Sequence, residues 1–317
     1  MALTYDLCIV VPFLNEEENI PFLINGLNDI ATNLSPNSLE IIFVDDGSQD
    51  NSVLLLVEAK NKTFPCRIIK LSKNCGSHAA IRAGLKNSNS KFTTILSADL
   101  QDPISIIQDL YHECQSGVDI AYGQRRSVKE QFFVSLFSRF YAKLMQKFVA
   151  PNYPQNGVDV VMMNRKVTDL LNKNIEGNSN FVLQLLSFGF KTSFIEYDKS
   201  ERKEGKSKWT LSKKIKLFID SFIAFSFVPI RLVTTMGFVF STIGVFWTSY
   251  VVLREIIYGD ISPGWPSLVA ILLLGFGVTN IGLGIIAEYL WRTLDSTRDR
   301  PVFIIDEIIE LDNASNK

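Results

Sequence analysis

Glu40-Ile41-Ile42-Phe43-Val44-Asp45-Asp46-Gly47-Ser48 is the stretch that decides the fold. Residues 40–44 read as a strand, and their apolar run suits a parallel sheet buried on both faces. The Asp-Asp-Gly-Ser that follows is a polar turn at the C-terminal end of that strand. The pattern recurs on either side. Leu7-Cys8-Ile9-Val10-Val11 is a first strand that ends at Pro12. Arg67-Ile68-Ile69-Lys70-Leu71, Phe92-Thr93-Thr94-Ile95-Leu96 and Val118-Asp119-Ile120-Ala121-Tyr122 are the third, fourth and fifth. Helical stretches fall between them, at about 17–34, 50–61 and 77–85. Strands alternating with helices form a βαβ series, which predicts an α/β fold with a parallel sheet and helices on both faces.

In such a sheet, ligands bind beyond the C-terminal ends of the strands. Asn15-Glu16 follows the first strand, Asp45-Asp46 the second, Asn74 the third, Asp99 the fourth and Arg125-Arg126 the fifth. Any one of these is an ordinary cap or turn. Together they form one rim, and the rim predicts a site.

The chain has 317 residues, with 32 Lys+Arg against 33 Asp+Glu and a net charge of −1. That balance excludes a generally basic nucleic-acid binder. Hydrophobic residues make up 47% and charged residues 21%, which excludes a disordered chain and is too apolar for an ordinary soluble enzyme. The excess lies near the C-terminus. Residues 232–253 are 22 uncharged residues in a row, and 261–287 are 27 more. At about 1.5 Å of rise per residue, each run as a helix is long enough for a hydrocarbon core of roughly 30 Å. The second carries Gly275, Gly277, Gly282 and Gly284, at a density that membrane helices tolerate. Lys213, Lys214, Lys216 and Arg231 precede the hairpin, and Arg292, Arg298 and Arg300 follow it. The expectation is an integral protein of the cell membrane with both termini cytoplasmic. No basic region followed by an apolar run opens the chain, so no signal peptide is expected. Cys8, Cys66, Cys75 and Cys114 form no CxxC pair and are expected to be reduced packing residues. His78 and His112 do not by themselves suggest a zinc site.

Four motifs carry a resemblance. Val11-Pro-Phe-Leu-Asn-Glu16, Val44-Asp-Asp-Gly-Ser48, Leu71-Ser-Lys-Asn-Cys-Gly76 and Ala98-Asp-Leu-Gln-Asp-Pro103 are similar to those of family 2 glycosyltransferases with the Rossmann-like GT-A fold. Arg202-Lys-Glu-Gly-Lys-Ser-Lys-Trp209, followed by two apolar spans, resembles the polyprenyl-phosphate glycosyltransferases, which include dolichol-phosphate mannose synthases and bacterial undecaprenyl-phosphate glucosyltransferases. The resemblance covers nearly the whole chain. It implies a GT-A domain over 1–205, a juxtamembrane amphipathic region over 206–230, a transmembrane hairpin over 231–290 and a cytoplasmic tail over 291–317.

The resemblance also implies roles. Pro12, Asn15, Glu16, Asp45, Asp46, Asn74 and Asp99 would hold a nucleotide sugar. Asp99 and Gln101 would ligate Mg²⁺ or Mn²⁺, which neutralises a departing diphosphate. Relatives read Asp-Ala-Asp where this chain has Ser97-Ala98-Asp99, so one carboxylate is missing. That departure leaves open a nucleotide-binding scaffold without catalysis. Asp159 matches the acceptor-side aspartate and joins Asp99 as a candidate catalytic residue, although Val161 stands where relatives carry arginine. Arg125, Arg139, Arg202, Ser207 and Lys208 would bind the acceptor phosphate. Residues 197–216 hold eight Lys/Arg against three Asp/Glu, which also suits a positive membrane flank. Apolar positions 211, 215, 218, 219, 222 and 223 have the spacing of an interfacial helix.

The implied reaction is inverting transfer of a sugar from a nucleotide diphosphate donor to a polyprenyl phosphate at the cytoplasmic face. UDP-glucose and undecaprenyl phosphate are the first choices, with GDP-mannose, another UDP-sugar or a different lipid acceptor as alternatives. A processive polysaccharide synthase is disfavoured, because no Gln-x-x-Arg-Trp motif is present. Relatives form tetramers. Val302-Phe-Ile-Ile305 is expected to be a tail strand able to add to a neighbour's sheet. A flippase would carry the product onward, and no nucleic acid is expected.

Overall fold

A computed structural model describes residues 4–33, 38–59, 62–99, 101–126, 142–143, 145–147, 151, 153–154, 157–174, 181–198, 228–258, 264–297 and 301–311. The chain divides into two compact units, one of 1–221 with 301–317 and one of 222–300.

The first unit is an eight-stranded sheet. Its strands are β1 (Tyr5–Phe13), β2 (Leu39–Asp45), β3 (Cys66–Leu71), β4 (Ser90–Ile95), β5 (Ile120–Arg125), β6 (Val158–Asn164), β7 (Thr192–Tyr197) and β8 (Ile305–Leu311). Its helices are α1 (Ile20–Asn33), α2 (Ser52–Glu58), α3 (Ser77–Asn87), α4 (Ile106–Gln115), α5 (Arg165–Lys173) and α6 (Phe181–Ser187). The spatial order of the strands is β7-β5-β6-β4-β1-β2-β3-β8.

The five expected strands are present, but the sheet is mixed rather than all parallel. β1 runs parallel to β2 and β4, β2 to β3, and β5 to β7. β6 lies antiparallel between β4 and β5, and β8 is antiparallel to β3. The sequence reading passed over β6 and β7.

Period-two alternation builds two cores from the same strands. Leu7, Ile9, Val11, Ile41 and Phe43 join α1 and α4 on one face. Cys8, Val10, Ile42 and Val44 join α3, α5 and α6 on the other. Each such side chain, when fully buried, contributes about 1.5–3 kcal/mol before entropy is counted. On α1, Ile20, Leu23, Ile24, Leu27, Ile30 and Ala31 recur at helical spacing and are all buried. Gly84 brings α3 onto the sheet, since a methyl group there would lie 2.3 Å from Val10.

β1 continues past its expected end at Pro12. The Val10 carbonyl accepts from Leu96 N–H on the β4 side, and the Phe13 carbonyl accepts from Asp46 N–H on the β2 side. By alternation, the N–H that Pro12 lacks falls on the β4 side, where pairing already stops at Val10–Ile95.

The tail strand is also corrected. It begins at Ile305, not Val302, and it pairs with β3 of its own chain rather than a neighbour's. Opposite charges face each other in that register. Lys70 opposes Glu307 at 3.0 Å, and Arg67 opposes Glu310 at 3.8 Å. Ile309 and Leu311 pack against one core, and Phe303 and Ile305 against the other.

All four cysteines are free. Burial pushes the thiol of Cys66 up to about 11 and that of Cys114 up to about 12, as expected of inert packing groups.

The second unit contains α7 (Val228–Tyr258) and α8 (Trp265–Thr297), helices of 31 and 33 residues. α7 extends beyond the uncharged run 232–253 at both ends, and α8 extends beyond 261–287 at its C-terminal end. Phe238, Phe246, Ile256, Phe276 and Leu290 are among their exposed apolar side chains. Among the described residues alone, no helix is long and apolar enough to cross a membrane. The membrane reading therefore rests on the unbroken runs 232–253 and 261–287 of the sequence.

Candidate active site

The parallel strands of the first unit all end on one edge of the sheet. The antiparallel β6 and β8 begin there, so residues distant in sequence meet on one rim.

The β1 and β2 loops are tied together. Asn15 has a positive φ of 51°. Its N–H donates to Ser48 Oγ at 2.9 Å, and its Oδ1 accepts from Gln49 N–H at 2.8 Å. Glu16 N–H donates to Ser52 Oγ at 2.9 Å, while the Glu16 carboxylate accepts from Asn19 at 2.7 Å. Asp50 accepts from Glu17 N–H, and Glu17 accepts from Asn51 N–H. Pro12, in the last residues of β1 before this knot, is half-buried. Ser48, Asp50 and Ser52 were missed from sequence, although short polar residues in a turn are the usual signal for such ties.

Asp45 is buried and its Oδ1 accepts from Ser48 N–H at 2.8 Å, closing the turn. Asp46 is buried and faces the β3–α3 loop. Its Oδ1 accepts from Cys75 N–H at 2.7 Å, and its Oδ2 accepts from Gly76 N–H at 3.0 Å. The structure thus gives Asp46 a loop-holding task. Burial raises its carboxyl above the ordinary value, while those two N–H groups pull it back. Gly47 lets the two loops touch. It has φ 82°, and a methyl group on it would meet Asn74 N at 2.9 Å. Asn74 itself is exposed, and its Oδ1 accepts from Gly76 N–H at 3.2 Å.

Asp99 and Gln101 are half-buried in the loop after β4, and Gln101 N–H donates to Asp99 Oδ1 at 3.4 Å. Ser97 is exposed. Among the described residues, no group of three His, Cys, Asp or Glu side chains is placed to hold a metal ion. One carboxylate and one amide oxygen do suit a hard cation that arrives with a diphosphate, because Mg²⁺ keeps waters and takes few protein ligands.

Asp159 is not in a loop. β6 pairs Val160 with Gly123 and then Val158 with Gln124, so Asp159 is the extra residue of a β-bulge. Both of its oxygens accept from Arg125, Oδ1 from Nη2 at 2.6 Å and Oδ2 from Nε. The pairing holds Arg125 more firmly protonated despite its burial. It also makes Asp159 a poor base, since protonating it would break a bidentate ion pair. Tyr197 Oη donates to the buried Asp102 at 2.6 Å and lies 3.4 Å from Asp159 Oδ2. Tyr197 and Asp102 were not singled out from sequence. The only signal was a carboxylate inside Ala98-Asp-Leu-Gln-Asp-Pro103 that had no assigned task.

Arg139, Arg202, Ser207 and Lys208 lie outside the described residues, as does the amphipathic stretch 211–223.

A mixed α/β sheet whose loops present acidic and basic groups along one edge is the framework of a GT-A-like glycosyltransferase. The model of Glycosyl transferase family 2 matches residues 8–171, and the chain belongs to that family. It is 32% identical over 305 residues to a prophage bactoprenol glucosyl transferase homolog of Escherichia coli K12, covering 95% of this chain and 98% of that one. It is 32% identical over 302 residues to the bactoprenol glucosyl transferase of Shigella phage SfX, covering 94% and 97%. A glycosyltransferase of Synechocystis sp. matches at 32% over 309 residues, 96% of each chain. Among solved structures, the glucosyl-3-phosphoglycerate synthase of Mycobacterium tuberculosis matches with a TM-score of 0.47 and 13% identity, covering 69% of this chain and 78% of that one.

Proposed function

We propose that this glycosyltransferase moves a hexose, glucose first among the candidates, from a nucleotide diphosphate to the phosphate of a bactoprenol-type polyprenyl lipid. One observation carries the reading. The likeness to the two bactoprenol glucosyl transferases spans 95% and 94% of the chain, so it takes in the two long helices as well as the sheet domain. On this reading those helices are a transmembrane hairpin in the cell membrane, with the sheet domain and both termini on the cytoplasmic side. UDP-glucose is the proposed donor. A flippase would receive the product, and a homo-oligomer is the proposed assembly.

The chemistry suits an acceptor that is already anionic. A phosphate monoester has a second pKa of about 6, so its oxygen needs little help from a base at neutral pH. That agrees with an Asp159 engaged by Arg125. The lipid phosphate oxygen forms a bond to the anomeric carbon, and the bond to the nucleoside diphosphate breaks on the opposite face with its electron pair. The configuration inverts. Asp99 and Gln101 would hold a divalent cation, whose contribution is to neutralise the departing diphosphate. Arg125, with Arg139, Arg202, Ser207 and Lys208, would bind the acceptor phosphate.

The test is nucleoside diphosphate release by purified protein in detergent. UDP-glucose, UDP-galactose, UDP-N-acetylglucosamine and GDP-mannose are each offered with Mg²⁺ and either undecaprenyl phosphate or undecaprenol. Release from one donor that requires the lipid phosphate is expected. Equal release with the alcohol, or with no lipid, would refute a phosphate acceptor.

A further inference from the structure

We infer that Tyr197 and Asp102 are positioning residues that couple the donor loop after β4 to the acceptor end of the site, by setting Asp159 and through it Arg125. The inference rests on the function proposed above and deepens it.

The four groups come from four places in the chain. Asp102 lies three residues beyond Asp99, in the loop that carries the candidate metal ligands. Asp159 is the extra residue of the β6 bulge. Arg125 ends β5, and Tyr197 ends β7 directly opposite it in the sheet register. Asp102 is 1% exposed and Tyr197 is 6% exposed. A buried carboxylate of this kind is costly unless its partners are well placed. The phenol supplies one of them, a 2.6 Å hydrogen bond.

The backbone is shaped to admit this contact. A methyl group on Gly123 would lie 3.2 Å from the Tyr197 ring and 3.4 Å from Val160, so a side chain there would press on the ring. The bulge at Asp159 turns a carboxylate toward Arg125 that a regular strand would carry elsewhere. Two independent irregularities, a glycine and a bulge, thus converge on one cluster.

A phenol has a single proton to donate. Its short contact is with Asp102, and its longer contact, at 3.4 Å, is with Asp159. The proton goes to Asp102 at the shorter distance, so Asp102 orients Tyr197; the phenol oxygen, 3.4 Å from Asp159 Oδ2, then bounds that carboxylate by contact, and Asp159 fixes the plane of the Arg125 guanidinium. Burial, and then the charges of Asp102 and Asp159, raise the Tyr197 hydroxyl well above its ordinary value of 10, so it remains a donor throughout the working range. A displacement of the Asp99–Pro103 loop when a nucleotide sugar binds would reach Arg125 by this route.

The test uses the full chain in detergent, with Tyr197→Phe, Asp102→Asn and Asp102→Ala. Tyr197→Phe keeps the ring and its packing while removing the hydrogen bond. It is expected to lower kcat/KM for undecaprenyl phosphate about ten-fold, with KM for the nucleotide sugar and the thermal midpoint little changed. Asp102→Asn retains an oxygen that can accept from the phenol, so it should keep more activity than Asp102→Ala. Wild-type kcat/KM for the lipid in Tyr197→Phe, or equal losses toward both substrates, would overturn the inference. Amide hydrogen exchange supplies a readout that does not need turnover. Tyr197→Phe should speed exchange at 101–102 and 158–160 together and leave α1 and β2 unchanged. If the wild type makes no lipid product and this pattern still appears, the proposed function fails and the coupling stands. If exchange at 158–160 is unaltered, the coupling fails whatever the activity.

Discussion

Asp46 holds two loops in one place, because its carboxylate accepts from both Cys75 and Gly76 N–H. Asp46→Ala removes the acceptor of Cys75 N–H and leaves Gly76 N–H with only its longer contact to Asn74, which costs about 1–3 kcal/mol where the donors are buried. The expected result is a lower thermal midpoint and a raised KM for the nucleotide sugar. An unchanged KM would mean that the β3–α3 loop does not shape the donor site. Asp99→Ala is expected to lower turnover by at least about a hundred-fold while nucleotide binding, read by calorimetry without metal, persists. Full activity in that variant would refute metal-assisted departure at Asp99. His78 lies edge-on to Phe181, with ring centroids 5.7 Å apart. Burial, and then the charge of Arg82, lowers its pKa below 6.5. The unfolded chain therefore takes up this proton before the folded chain does. The stability involved is complete above about pH 6.5 and is lost as pH falls toward the lower folded value. His78→Phe should flatten the fall of thermal midpoint as pH drops below about 6.5, and an unchanged slope would assign that fall to other groups. Much of the rim was legible as residues, because Asn15, Asp45, Asn74, Asp99 and Arg125 each follow an apolar run. Their partners were not. Asp159 reaches the rim through a bulge, Asp46 is engaged by N–H groups of the β3–α3 loop, and the Tyr197–Asp102 contact spans 95 positions.

β8 is the element with the least local cause. It pairs with β3 across more than two hundred residues and covers an edge that would otherwise present open N–H and C=O groups. Its Lys70–Glu307 pair is solvent-exposed, so Glu307→Lys should cost less than about 1 kcal/mol, and Lys70→Glu in the same chain should restore most of it. A loss with no recovery in the double variant would mean that packing of Ile305 and Ile309 sets the register. Deleting 305–311 is a harsher change, and the expected outcome is a lower thermal midpoint with aggregation through the uncovered β3. The β1–β5 series was readable because apolar runs of strand length alternate with helical stretches. β6 was not, because the apolar stretch in Val158-Asp-Val-Val-Met-Met163 directly follows Gly157 and is interrupted by Asp159, so it does not stand out as a strand. The pairing of β8 with β3 joins segments more than two hundred residues apart, which local sequence pattern does not display.

For the whole molecule, the two units make separate predictions. If α7 and α8 are a membrane hairpin, the full chain should remain with membranes after washing in high salt and in alkaline carbonate, and its release into either wash would contradict the hairpin. On the same reading the sheet domain lies on the cytoplasmic side, so a protease added to sealed right-side-out vesicles should spare it. The central claim is a sugar joined to a lipid through one phosphate. The most direct measurement is mass spectrometry of the lipid fraction after incubating the purified chain with UDP-glucose, undecaprenyl phosphate and Mg²⁺. The account predicts a species heavier than undecaprenyl phosphate by one hexosyl residue, still carrying a single phosphate. A lipid fraction left unchanged under the same conditions while UDP is released, or a product bearing a diphosphate, would contradict it.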